Sequence, residues 1–201
     1  HEWLRLFAVL SALEFAPSPV PETTIYSDPT LDAVVAKTPF AEAIICHMGA
    51  GMAKKQWPVA HWAAFKKMAD AAGWLLVFAP GQNQREQELA SELKELSPAT
   101  QFLPPLDTAN LLAVMKRARV LVAGDTGPMH FAAGLDVPLV ALFGPTSAAR
   151  WGPLGPKQQV ISAGPCACNV NSHVCHHAQH CLAAISSAQV FAAVENLLPP
   201  G

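Results

Sequence analysis

Gly124-Asp125-Thr126-Gly127-Pro128-Met129-His130 sets a carboxylate, a hydroxyl and an imidazole around two glycines. Pro128 suits the first turn of a helix, where a missing N–H is not needed. The free N–H groups of Thr126, Gly127 and Met129 would then face outward from the helix start, where backbone donors and the helix dipole attract an anion. Gly127 would let a phosphate approach the backbone, Thr126 could add a hydroxyl, and His130 lies within one turn. Asp125 repels phosphate, so it suits either a sugar hydroxyl or a clamp on a nearby lysine. The plainer alternative is that Asp125 and Thr126 only cap the helix while His130 packs against the sheet.

A second loop, Met48-Gly-Ala-Gly-Met-Ala-Lys-Lys-Gln-Trp-Pro58, carries glycines that permit close approach, with Lys54 or Lys55 as a cation. No Ser or Thr follows the lysine at the spacing of a Walker loop, and the third glycine of a dinucleotide fingerprint is absent. An ordinary strand-to-helix turn with solvated lysines would also account for it. Asp-Thr-Gly is the signature of aspartic proteases too, but those need two carboxylates sharing a proton in a β-rich chain. Only one such triplet occurs here, inside a strand–helix–strand pattern.

Apolar runs mark the strands and helices that carry these loops. Val120–Ala123 has the length and composition of a buried strand, and Pro138–Phe143 reads as the next parallel one. Phe131, Ala132 and Leu135 would bury the helix between them. Upstream, Ala43–His47 and Trp74–Ala79 are strands and Phe102-Leu103 a short one. Helices are expected over Val59–Ala72, Gln84–Leu96 and from near Asp107, a plausible N-cap. The first of these would bury Trp62, Phe65, Met68 and Ala69. In the last, Leu111, Leu112, Val114 and Met115 would face inward. A final strand lies near Val160 and a helix spans Ser187–Leu198. This alternation predicts an α/β fold: a Rossmann-like parallel sheet with helices on both faces, the loops lying at the carboxyl ends of strands, where ligands bind.

A chain of 201 residues with 51% hydrophobic residues and a net charge of −2 has material for a sizeable core and argues against nucleic-acid binding through a basic face. No long apolar run free of charge reads as a membrane span. Leu6, Val9, Leu10 and Leu13 sit at helical spacing; without a cationic leader or a clean cleavage site, the segment does not read as a signal peptide. Residues 16–40, rich in proline, read as a linker. Beginning at His1 rather than Met, the chain reads as a fragment or processed product. Near the end, Cys166, Cys168, Cys175 and Cys181 stand with several histidines in a loop over 164–182. Zinc favours such ligands, but the spacing is not that of a standard finger; metal, disulfide and reduced thiols all stay open.

Taken together, Gly-Ala-Gly-x-x-Lys54-Lys55-x-Trp57-Pro58, Asp125-Thr-Gly-Pro-Met-His130, Val137-Pro-Leu-Val-Ala-Leu-Phe-Gly-Pro-Thr146 and Arg150-Trp-Gly-Pro153 resemble the carboxyl-terminal half of family 9 glycosyltransferases, the ADP-heptose:lipopolysaccharide heptosyltransferases. The resemblance runs from about residue 40 to the end and includes the cysteine loop. His1-Glu-Trp-Leu-Arg is similar to the segment closing the family's first domain. It implies one half of a GT-B architecture: residues 1–40 as the terminal helix and linker of a preceding acceptor domain, and 41–201 as a nucleotide-sugar-binding domain.

By matching positions, the resemblance implies that Lys55 and the backbone at Ala50 and Gly51 hold the donor's phosphates. Thr126, Gly127 and His130 would complete that cradle, Asp125 would hold sugar hydroxyls, and Leu106 would line the adenine pocket. The implied reaction is inverting transfer of a heptose or related sugar from an ADP-sugar to a lipopolysaccharide core acceptor, in the cytoplasm or at the periphery of the inner membrane. Its base would lie in the other domain. No cofactor or metal is expected, because positive groups and the helix dipole can stabilise the leaving diphosphate. Two departures stand out: the family often has Ser or Thr near Ala50 and Gly51, and its Glu after the second strand is not evident at Gln82 to Gln84. Self-association is a further expectation, from the apolar surface a missing domain would leave. The other functional class is a non-catalytic nucleotide-binding or zinc-stabilised interaction module.

Overall fold

A computed structural model describes residues 25–164 and 181–198. Six parallel strands form one sheet: β1 (Ile44–His47), β2 (Leu76–Ala79), β3 (Gln101–Phe102), β4 (Val120–Gly124), β5 (Leu139–Phe143) and β6 (Gln158–Ser162). Their order in the sheet is β3-β2-β1-β4-β5-β6, that of a doubly wound nucleotide-binding sheet. The connections diverge between β1 and β4, which pair in register Ile44 to Val120 through His47 to Ala123. That boundary is the topological switch point, where a crevice opens beyond the strands' carboxyl ends.

Both faces of the central sheet are buried, so β2, β4 and β5 are apolar at every position and β1 is apolar up to His47. Alternate residues serve two cores. Ile44, Cys46, Phe78, Val122 and Leu142 face a layer containing α2 (Val59–Ala71) and α7 (Ser187–Leu197), with Trp62, Phe65 and Val194. Ile45, Val77, Leu121, Ala141 and Phe143 face the opposite layer, with α1 (Pro29–Val35), α4 (Thr108–Lys116) and α5 (Gly127–Gly134). α3 (Gln84–Leu96) packs beside α2, and a short α6 (Ala148–Trp151) follows β5.

Helix starts are chemically marked. Asn83 accepts from the Glu86 N–H at 3.0 Å, Asp107 from the Asn110 N–H at 2.8 Å, and Ser186 forms a capping box with Gln189. Asp107 is therefore the cap its type suggests. In α4 the fully buried residues are Ala113, Val114 and Met115, with Leu111 and Leu112 half-buried; in α2 Met68 is half-buried too. In α5 Met129 replaces Phe131 on the innermost face, alongside Ala132.

The linker expectation for residues 16–40 needs correction over its described part. Pro29–Val35 is a helix whose N-cap Asp28 accepts from the Thr30 N–H at 2.7 Å. It packs on α4, while the Ile25 N–H donates to the Gly134 carbonyl at 2.8 Å. Seven residues opened by a proline are too short to display a helical period, so tertiary packing rather than local pattern makes this helix. The expected helix at Leu6–Leu13 and three of the four loop cysteines, Cys166, Cys168 and Cys175, fall outside the described residues. Cys181 opens a short 3-10 turn, Cys181–Ala184. Among the described residues no helix is long and apolar enough to cross a membrane.

Candidate functional site

The loops after β1 and β4 enclose a cleft of about 430 Å³ at the switch point. Ala50, Gly51, Lys55, Asp125, Thr126 and Gly127 all line it. The two chemical loops of the sequence, some 70 residues apart, thus meet at one place.

They meet through an ion pair. Lys55 Nζ donates to Asp125 Oδ2 at 2.7 Å, with side chains only 19% and 11% exposed. Of the two roles open to Asp125, the structure displays the lysine clamp. It occupies one of the three ammonium donors and leaves the others for a ligand. A Cβ on Gly124 would stand 3.1 Å from the Lys55 carbonyl, so the bare backbone there lets the lysine turn rest on the end of β4. The adjacent Lys54 is buried rather than solvated.

Neither Asp125 nor Thr126 caps α5. Thr126 occupies the N-cap position without a side-chain cap bond, its hydroxyl donating instead to the Gly124 carbonyl at 3.3 Å. The first-turn N–H groups of α5 are left to the cleft, the arrangement in which a helix start attracts an anion. A Cβ on Gly51 or Gly127 would meet nothing within 4 Å. Both positions look into open space, with no packing reason to be glycine.

His130 is exposed on α5 and is not part of the cleft wall. Partial burial lowers its pKa, the Asp125 carboxylate pulls it up, and the Lys55 ammonium lowers it. It stands close enough to the ion pair to feel both members. Leu106 lies off the main cleft, in an adjoining cavity of about 140 Å³ with Leu103, Pro104 and Leu111, and its carbonyl accepts from Gln82 Nε2 at 3.1 Å.

Two cleft residues escape a reading of the sequence. Glu86 is 7% exposed, and its carboxylate lies against the backbones of Gly49 and Gly81, where a Cβ on either would overlap it. Three positions after Asn83, it passes for a capping residue, and a carboxylate is thus present two residues beyond the loop searched for one. His47 ends β1 and lines both cavities, its Nδ1 enclosed without a hydrogen-bond partner. Its only sequence signal is a polar residue closing an apolar strand.

The model of glycosyltransferase family 9 (heptosyltransferase) matches residues 2–180. The chain belongs to this family. It is 33% identical over 164 residues to lipopolysaccharide heptosyltransferase 1 of Pseudomonas aeruginosa, a match covering 81% of this chain and 44% of that protein. In structure it is similar to a family 9 glycosyltransferase from Veillonella parvula, at a TM-score of 0.75 and 22% identity over 98% of this chain and 59% of that one. An E. coli heptosyltransferase solved with ADP gives 0.67 and 21% over 92% of this chain and 53% of that one. These structural likenesses carry the family 9 fold, the GT-B type. The chain spans about half the length of the relatives it matches.

Proposed function

We propose that this chain is the donor-binding half of a heptosyltransferase that moves a heptose, or a related sugar, from an ADP-sugar to a lipopolysaccharide core acceptor with inversion. The single observation that carries the reading is the cleft at the switch point, where the Lys55–Asp125 pair meets the uncapped start of α5. Its polar groups suit a diphosphate: the Lys55 ammonium and the N–H groups of Gly127 and Met129 supply charge and donors. Gly51 and Gly127 leave room for phosphate oxygens to reach the backbone. Residues 1–40 join this half to the acceptor half.

In this reading Asp125 holds Lys55 in position and offers its second oxygen to a sugar hydroxyl. Glu86 accepts from further hydroxyls across the cleft, and Leu106 borders the base. As the anomeric bond breaks, negative charge grows on the departing diphosphate, and Lys55 and the helix start stabilise that charge without a required cofactor. The base that deprotonates the acceptor hydroxyl belongs to the other half, so this chain alone binds donor and does not transfer. Its working place is the cytoplasm, against the inner membrane where the acceptor lies. The E. coli relative's ADP supports the choice of nucleotide.

Calorimetric titration of the chain with ADP, UDP and GDP tests the reading, repeated with Lys55→Ala and His130→Ala. ADP-selective binding, weakened strongly by the first substitution and mildly by the second, is the expected result. Preference for another nucleotide, or ADP binding indifferent to Lys55, would overturn it.

A further inference from the structure

The main cleft and the Leu106 cavity share two lining residues, His47 and Gly81, and Gly81 has no side chain. His47 is thus the one side chain among the described residues that faces both. It ends β1 beside the switch point, and Gly49 and the rest of the lysine loop follow directly.

Burial pushes the His47 imidazole down to about 4 against a smaller upward pull from the Gly49 carbonyl, so the ring is neutral at ordinary pH. Nδ1 is enclosed with no hydrogen-bond partner of its own, while the ring leans on the Gly49 backbone carbonyl. An enclosed polar atom left unpaired is costly, and native proteins keep few such atoms. A neutral imidazole offers one donor and one acceptor. Phosphate, being acceptor-rich and anionic, matches that pair poorly, and an apolar base face does not match it at all. A hydroxyl, which both donates and accepts, answers either tautomer.

We propose that His47 is a specificity-determining residue of this site, reading a ribose hydroxyl of the bound nucleoside diphosphate. The inference rests on the donor-binding reading above. With the diphosphate at Lys55 and the base beside Leu106, the ribose joining them must cross the boundary between the two cavities, where His47 stands. Glu86, on the main-cleft side, takes the ribose's other hydroxyl.

The test is a set of dissociation constants for ADP, 2′-deoxy-ADP and 3′-deoxy-ADP, measured on the chain and on its His47→Leu and His47→Gln variants. The native chain should bind one deoxy analogue about tenfold more weakly than ADP, the size of one well-made hydrogen bond. His47→Leu should bring that ratio to within about twofold of unity, while His47→Gln, which keeps a donor and an acceptor, should retain most of it. Lys55→Ala should weaken all three nucleotides alike and leave the ratio unchanged. A structural role for His47 would lower every affinity without touching the ratio. Equal binding of all three by the native chain, or full discrimination surviving in His47→Leu, overturns the assignment to His47 alone. Failure of the native chain to bind ADP overturns the donor reading and this inference with it.

Discussion

The segment from the end of β1 into the first turn of α2 has two halves built on opposite terms. Gly49 to Lys55 is open: two glycines, an ammonium shared with a distant loop, and a cleft beside it. Gln56 to Trp62 is closed. The Trp57 indole N–H donates to the Ile185 carbonyl at 2.9 Å, His61 Nδ1 meets the same oxygen at 3.0 Å, and the Trp57 and Trp62 rings cross at 4.7 Å. The Ser187 hydroxyl, at the start of α7, donates to the His61 carbonyl at 2.8 Å. The carboxyl-terminal segment thus holds the second half so that the first can stay polar and unfilled. If the proposed donor site is right, packing energy should reside in one half and binding energy in the other, and substitutions should separate them.

The largest effect is expected at the closed half. Trp57 is 3% exposed and central to an aromatic cluster with Trp62 and Phe65. Trp57→Ala should lower stability by about 3–5 kcal/mol, the range for emptying an aromatic core site. Chemical denaturation measures it. A loss below about 0.5 kcal/mol, the scale of an ordinary surface substitution, would show that the anchor is not where this half draws its stability.

At the open half, Lys55→Ala should cost little fold and much ligand. Removing a charge-assisted contact to a diphosphate should weaken nucleotide binding about 10- to 100-fold, following the about 1.5–3 kcal/mol that such bonds carry. The ion pair Lys66–Asp70 provides the control, having the same residue types and the same 2.7 Å spacing but lying along one helix. Lys66→Met should leave nucleotide affinity unchanged in the same titration. If both lysines affect binding equally, the cleft pair has no special standing.

The contrast also decides what could be read from the sequence. The central strands were legible because burial on both faces makes them apolar runs, and Asp107 because a cap is a local event. The two lysines side by side were not separable by local pattern, only by the resemblance that chose Lys55; the fold puts Lys55 against Asp125 and buries Lys54. Glu86 was hidden by its position, since three residues past Asn83 a carboxylate reads as part of a cap. The helix Pro29–Val35 was lost among prolines because its stabilisation is tertiary. Spacing alone could not say which loop faces which; the family resemblance supplied that pairing, and the cleft brings Lys55, Asp125, Thr126 and Gly127 together.

Acid should act next at His47, which ends β1 just before the open half. His47 is held neutral with its pKa at about 4, against about 6.5 in an unfolded chain. Its folded value is depressed, so between these two values the unfolded state takes up a proton that the folded state refuses. Stability present above about pH 6.5 is therefore lost as pH falls toward 4, by about 2 kcal/mol between pH 7 and pH 5 from this group. Denaturation curves at the two pH values, on the chain and on His47→Leu, would show it as a slope that the variant loses. An equal slope in both would assign the acid sensitivity to other groups.

The smallest effect on the fold comes at Gly51, and it is the most discriminating. A Cβ there would touch nothing, and its backbone is not in the left-handed region. Replacing such a glycine by alanine reduces the freedom of the unfolded chain and stabilises by about 0.4–1 kcal/mol. Alanine at 51 should therefore raise the melting temperature slightly. The same methyl projects into the cleft where phosphate oxygens would approach the backbone, so nucleotide affinity should fall. A residue that serves only the fold moves stability and binding in the same direction. Opposite movement at Gly51 would mean that the open space beside it is kept for a ligand, and a gain in stability with unchanged affinity would mean that the diphosphate sits elsewhere in the cleft.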